Sequence, residues 1–403
     1  MGAVQRVSLR PALEREPAGE RPVHPLLDPR GPIMCVGGSR GADNLSIPVR
    51  PGAATLFGPR AACVAGSGSL WVSDTGHHRV LGWRHGVFGD DAHADVLIGQ
   101  PDFSDEGRNA KGAAGAATLN VPTGITPCGE GIAVADAWNH RVLIWHRLPE
   151  RHNALADVVL GQADFTNVDA NRGNVDPAAD TLFWPYGVSW DGAHLWVADT
   201  GNRRVLMWNG LPLRNGRAAD LVLGQPGFCT RDENAGRSPD AASMRWPHGL
   251  ARWGARLCVA DAGNNRIMVW DAVPTRNDQR ADFVLGQSDE RGVDNNQSRY
   301  WPAASSLNMP YGIAAAHDWL LVADTANSRL IGWHARDAAT GATARALTGQ
   351  PDFAAKGDNR WQLPQRDSLC WPYGIACRDG VAVVADSGNN RVVLWRLAEE
   401  ASA

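Results

Sequence analysis

A fourteen-residue segment returns six times along this chain with its charged and aromatic positions in register. The copies are Leu70–Trp83, Ile132–Trp145, Leu195–Trp208, Leu257–Trp270, Leu320–Trp333 and Ala382–Trp395. Their aspartates (Asp74, Asp136, Asp199, Asp261, Asp324 and Asp386) stand 62, 63, 62, 63 and 62 residues apart. Five residues after each Asp comes an arginine: Arg79, Arg141, Arg204, Arg266, Arg329 and Arg391. Nine after each comes a tryptophan: Trp83, Trp145, Trp208, Trp270, Trp333 and Trp395. A single unit of this kind cannot bury its own apolar face, so the copies must stack on one another.

The third copy shows what a unit holds. Residues 184–188 begin a short strand, and Asp191 with Gly192 supplies a turn. Residues 195–199 alternate as a second strand, 204–208 as a third and 219–225 as a fourth. Four short strands per unit, six units and no sustained helical period predict an all-β, six-bladed β-propeller with four antiparallel strands per blade.

The fourth strand ends in Gly-Gln at Gln100, Gln162, Gln225, Gln287 and Gln350, and no sixth copy follows Trp395. Gly37 and Gly38 instead lie one interval ahead of Gly99 and Gln100, behind the apolar run Ile33–Val36. Residues 32–38 are therefore expected to close the last blade and remove an exposed sheet edge. The expected organisation is a disordered or loosely packed tail over 1–30, one propeller over 31–397 and a short tail over 398–403. Each Gly-Gln is followed by a loop carrying an Asn nine residues on (Asn109, Asn171, Asn234, Asn296, Asn359). Such regularity implies packed loops with satisfied backbones.

A net charge of -4 and a pI near 6.3 argue against a partner held by bulk positive charge, such as nucleic acid. No apolar run reaches the ~18 residues of a membrane span, and the first residues lack the apolar core of a secretory signal. The seven cysteines form no close pair, which fits a reducing cytoplasm better than a disulfide scaffold. No membrane partner, metal or other cofactor is expected.

The signature Asp-x-x-Asn-x-Arg, its flanking strands and the Gly-Gln-Pro-Asp-Phe segment resemble the NHL-repeat family over residues 31–397. The first copy departs, with His77 in place of the Asn. The resemblance implies a six-bladed propeller. It leaves function open, because the family includes RNA- or protein-binding modules of ubiquitin ligases, sensor domains and a zinc-dependent peptide-amidating lyase. In that lyase the residue between Pro and Gly supplies zinc-binding histidines. Only His248 matches here, and one histidine is no zinc site.

A residue present in all six units cannot mark a single site, so the Asp–Arg pairs and the six Trp read as frame. Function is expected where the copies differ. The residue after the proline at the start of the first strand, ahead of a glycine in five of the six units, is Arg60, Thr123, Tyr186, His248, Tyr311 or Tyr373. These six are expected to ring the axial channel and to contact an organic ligand or a peptide segment, or else to plug it. Blade one is irregular there, which loosens the placing of Arg60.

The turn after each Asp also varies: His77, His78, Asn139, His140, Arg203, Asn265, Ser328 and Asn390. Its histidines are expected as solvated turn residues, with a surface metal site as the alternative. Trp184, Trp246 and Trp371 ahead of the prolines, with Tyr300, Trp301 and Trp361 in the loops, are candidate exposed aromatics on the same face. Walker, nucleophile-elbow and HExxH motifs are missing. The expectation is a rigid platform binding a protein partner through its loop-rich face, as an accessory or assembly factor. The alternatives are a metal-assisted lyase or lactonase-like hydrolase at the channel and, third, RNA binding.

Overall fold

The computed structural model describes residues 20–38, 50–66, 68–90 and 92–399. Six antiparallel sheets, each with four strands from the repeat, follow one another as blades. In blade three the strands run Pro185–Trp190, His194–Asp199, Arg204–Asn209 and Leu221–Leu223, from the axis outward. The fourth is shorter than the expected 219–225. The other inner strands are Ala61–Val64, Pro122–Cys128, Pro247–Trp253, Pro310–Ala316 and Pro372–Arg378.

The core lies between blades. Residues 195–199 and 204–208 are buried throughout because each middle strand is covered on both faces by its neighbours. Six apolar clusters each join two adjacent blades, as where Ile144 and Ala133 of blade two meet Val197, Leu206 and Trp208 of blade three. Burying each repeat Trp contributes on the order of 4–6 kcal/mol of transfer free energy as an upper figure.

The repeated Asp–Arg pair is the pin that holds each blade to its loops. Asp199 and Arg204 face each other across the hairpin, and Arg203 between them takes the left-handed conformation that ends the turn, at φ 56°. One carboxylate oxygen of Asp199 accepts the Phe183 N–H at 2.7 Å; the other accepts Asn202 Nδ2 and Arg204 Nε, each at 2.7 Å. Arg204 Nη1 donates to the Phe228 carbonyl, and Nη2 to those of Ala178 and Thr181 at 2.9 and 3.0 Å. Both side chains are fully buried, and all three guanidinium nitrogens donate. Blade one keeps the scheme with His77 in the asparagine's place, its Nδ1 2.8 Å from Asp74.

The ring closes as expected. Met34–Gly37 pairs antiparallel with Arg391–Arg396, setting Met34 opposite Leu394 and Gly37 opposite Arg391. Val36 is wholly buried in the seam where Val383 and Val392 of blade six meet Leu56 and Leu70 of blade one.

The tail expectation needs correction for residues 20–30; residues 1–19 lie outside the described residues, as do 400–403 of the C-terminal tail. His24 and Pro25 add a parallel strand to the outer edge of blade five, opposite Ala346 and Leu347. Leu26 and Leu27 are buried between blades five and six, and the Ala398 N–H donates to the Leu26 carbonyl. In five blades the Trp indole N–H bonds a carbonyl nine residues on, as Trp208 does to Arg217. Trp395 donates instead to the Asp28 carbonyl at 2.7 Å. The segment reads as a tail because the contacts that seat it are with blades five and six, at the far end of the sequence.

Candidate functional site

The six residues that begin the inner strands meet on the axis. Tyr186 and His248 have ring centroids 4.4 Å apart, His248 and Tyr311 4.5 Å, and Tyr311 and Tyr373 4.6 Å in a parallel stack. The Arg60 guanidinium lies 3.7 Å over the Tyr373 ring. Thr123 donates its hydroxyl to the Tyr186 carbonyl at 2.9 Å. From Tyr186 to Arg60 the ring is thus a continuous stack at the loop-side end of the channel, and His248 is buried within it.

Close approach of the inner strands dictates the glycine after five of the six ring residues. A Cβ at Gly124 would stand 2.7 Å from the Tyr186 carbonyl oxygen, and one at Gly312 would stand 2.6 Å from that of Tyr373. At Gly187 it would fall on the His248 carbonyl. Blade one, with Ala61, has the shortest inner strand, only Ala61–Val64.

Burial sets the protonation of the ring. The His248 imidazole is held down to about 4, because its cationic form would be desolvated between two phenols and near Arg60. Burial pushes the Tyr186 and Tyr311 hydroxyls up. His248 Nδ1 donates to the Trp246 carbonyl at 2.9 Å; since a carbonyl only accepts, the neutral ring carries its proton there.

The turn histidines are not solvated, and they do not gather. His77 is buried on Asp74, whereas His78 and His140 reach across to the next blade, their Nδ1 atoms accepting the N–H groups of Val121 and Trp184 at 3.0 and 3.1 Å. Asn265, Ser328 and Asn390 do the same for Met309, Trp371 and Gly58. These residues are clasps between blades, which explains their polar but variable identity. Among the described residues no three His, Cys, Asp or Glu side chains converge as metal ligands would.

The loop-side face carries exposed tryptophans: Trp184 and Trp246 (38% each), Trp371 (50%) and Trp361 (71%), with Tyr300 at 48%. Trp301 is partly covered, edge-on to Tyr300 and 5.5 Å from the Lys356 ammonium. Sequence reasoning missed Trp138, 41% exposed with Arg108 stacked over it. The signal was there: Trp138 stands where the other five turns have Gly or Ala. Below the ring the inner strands enclose an axial cavity of about 320 Å³.

No protein-family model matches the chain, and comparison with curated proteins gives no match. Solved structures do resemble it. A structural-genomics protein of unknown function from Bacteroides thetaiotaomicron VPI-5482 is 12% identical over 87% of this chain and 73% of that one, with a TM-score of 0.51. A streptogramin B lyase is 15% identical over 88% and 82%, with a TM-score of 0.42. The WD40 propeller domain of Doa1 is 10% identical over 89% and 100%, with a TM-score of 0.46. At such identities the likeness is one of fold. Among the described residues no helix is long and apolar enough to cross a membrane.

Proposed function

We propose that this chain is an NHL-type propeller that binds a protein partner through its loop-rich face, as an accessory or assembly factor of a larger cytoplasmic complex. One observation carries the reading: all five exposed tryptophans among the described residues lie on that face, around the six-residue ring. Two of them lie under arginines, Trp138 beneath Arg108 and Trp246 beneath Arg245, at 4.9 and 5.1 Å. Exposed Trp beside Arg is the composition of interface hot spots, where a few rigid aromatics supply most of the affinity. The frame beneath is rigid, so little ordering entropy opposes docking. Seven free thiols fit a reducing compartment.

The test is affinity capture from the native cell with the intact chain and with Trp184, Trp246, Trp361 and Trp371 changed together to Ala. The expected result is a stoichiometric protein captured by the first and lost by the second at an unchanged melting temperature. Capture of the same protein by both would refute the placement.

A further inference from the structure

The charge balance of the axial cavity is unlike that of the molecule around it. The protein is net acidic at -4, yet no Asp or Glu lines the cavity, whereas Arg60, Arg252 and His248 do. The six frame arginines bury their donors against carboxylates and carbonyls, but Arg60 is different. Among the described residues its guanidinium has no carboxylate within ion-pair range and no hydrogen-bond acceptor; it rests only on the Tyr373 ring. Its position is central, since its charge acts on Tyr186, His248 and Tyr311 alike. At the far end Arg252 has its Nη1 buried without a partner, and its Nε is 4.0 Å from Asp191. Between the two arginines runs a belt of Ile125, Val188, Leu250, Ile313 and Ile375.

We propose that this cavity binds a small organic carboxylate. Arg60 stands at the ring end of the cavity and Arg252 at the other. A guanidinium offers a carboxylate two parallel N–H donors, and no acidic group of the cavity lining competes for them. The apolar belt takes the body of the ligand. At about 320 Å³ the cavity is near the lower end of ligand pockets, which suits one ring or a short chain. This site is separate from the tryptophan face and stands whether or not a protein docks there.

The experiment is calorimetric titration of the full chain with benzoate, phenylacetate and 4-hydroxybenzoate, each beside its neutral amide, and with inorganic phosphate. At least one carboxylate should bind saturably, with its amide at least tenfold weaker and phosphate unable to displace it. Arg60→Met should weaken binding at least tenfold. Arg60→Lys, which keeps the charge and the space but loses the fork, should fall between, and guards against a folding defect in the first variant. Trp361→Ala should bind as the unmodified chain does. Absence of saturable binding by every carboxylate, equal binding of acid and amide, displacement by phosphate, or undiminished binding by both Arg60 variants would overturn the proposal.

Discussion

His248 Nδ1 lies 2.9 Å from the carbonyl oxygen of Trp246, and the Trp246 peptide is turned unlike its counterparts in the other blades. Elsewhere the residue before the proline (Gly58, Val121, Trp184, Met309 or Trp371) is left-handed, with φ between 50° and 57°, and its N–H is clasped by the preceding blade. Trp246 is not left-handed, and its carbonyl accepts both the Ala262 N–H and the His248 imidazole.

The buried imidazole makes the fold acid-sensitive over a defined window. Its folded value of about 4 lies below the 6.5 of a free histidine, so on acidification the unfolded chain takes the proton first. Stability is therefore whole above about pH 6.5, declines as pH falls towards 4, and has lost about 3 kcal/mol to this one group at the lower end. Burial also depresses His78 and His140, whose Nδ1 atoms must stay unprotonated to clasp the next blade, so both add to the loss. Denaturant unfolding from pH 7.5 to 4 should show a shallower decline for His248→Phe, which keeps the stack but cannot titrate. Parallel curves for the two proteins would exclude the assignment.

The closing strand should contribute far more than its four residues suggest. It covers the edge left by Arg391–Arg396, and the segment ahead of it supplies the acceptor for the Trp395 indole, the Asp28 carbonyl. Deleting residues 32–38 should lower the melting temperature by more than 10 °C, since ~1 kcal/mol shifts a domain of this size by a few degrees and the loss spans an entire strand. Val36→Asp is the milder form, placing a charge in the buried seam. Light scattering on warming should rise earlier for both, and an unchanged melting curve would show that the ring closes without this strand.

The fold was legible because period-62 repetition averages out local ambiguity: Asp199 and Arg204 are unremarkable alone and decisive in six registers. The ring was legible for the complementary reason, since Tyr186, His248 and Tyr311 occupy one register with different side chains. Two features were not. The role of residues 20–30 depends on contacts with blades at the far end of the chain, which no local pattern carries. The clasp positions looked like solvated turn residues because His140, Asn265 and Ser328 share only an acceptor atom, and its partner sits in the next unit.

The odd peptide at Trp246 traces to one residue. The clasp position ahead of it is Arg203, whose guanidinium has donors and no acceptor, and which bonds the Gly201 and Arg231 carbonyls instead. Without an acceptor across the junction, nothing offsets the roughly 1 kcal/mol or more that a left-handed tryptophan costs, so Trp246 relaxes and its carbonyl becomes free to hold His248. Arg203→Asn should restore the acceptor found as Asn265 and Asn390 in two other blades. The Trp246 peptide should then rotate, with φ becoming positive, and the Nδ1 bond of His248 should be lost. A crystal structure of the variant reads the peptide directly, and the imidazole nitrogen shifts in solution read the bond. The folded histidine should also titrate at a different pH, because the Trp246 hydrogen bond favours its protonated form and that support would be gone. An unrotated peptide in the variant would mean that packing of Trp246 or His248, and not the missing acceptor, sets the geometry at this junction.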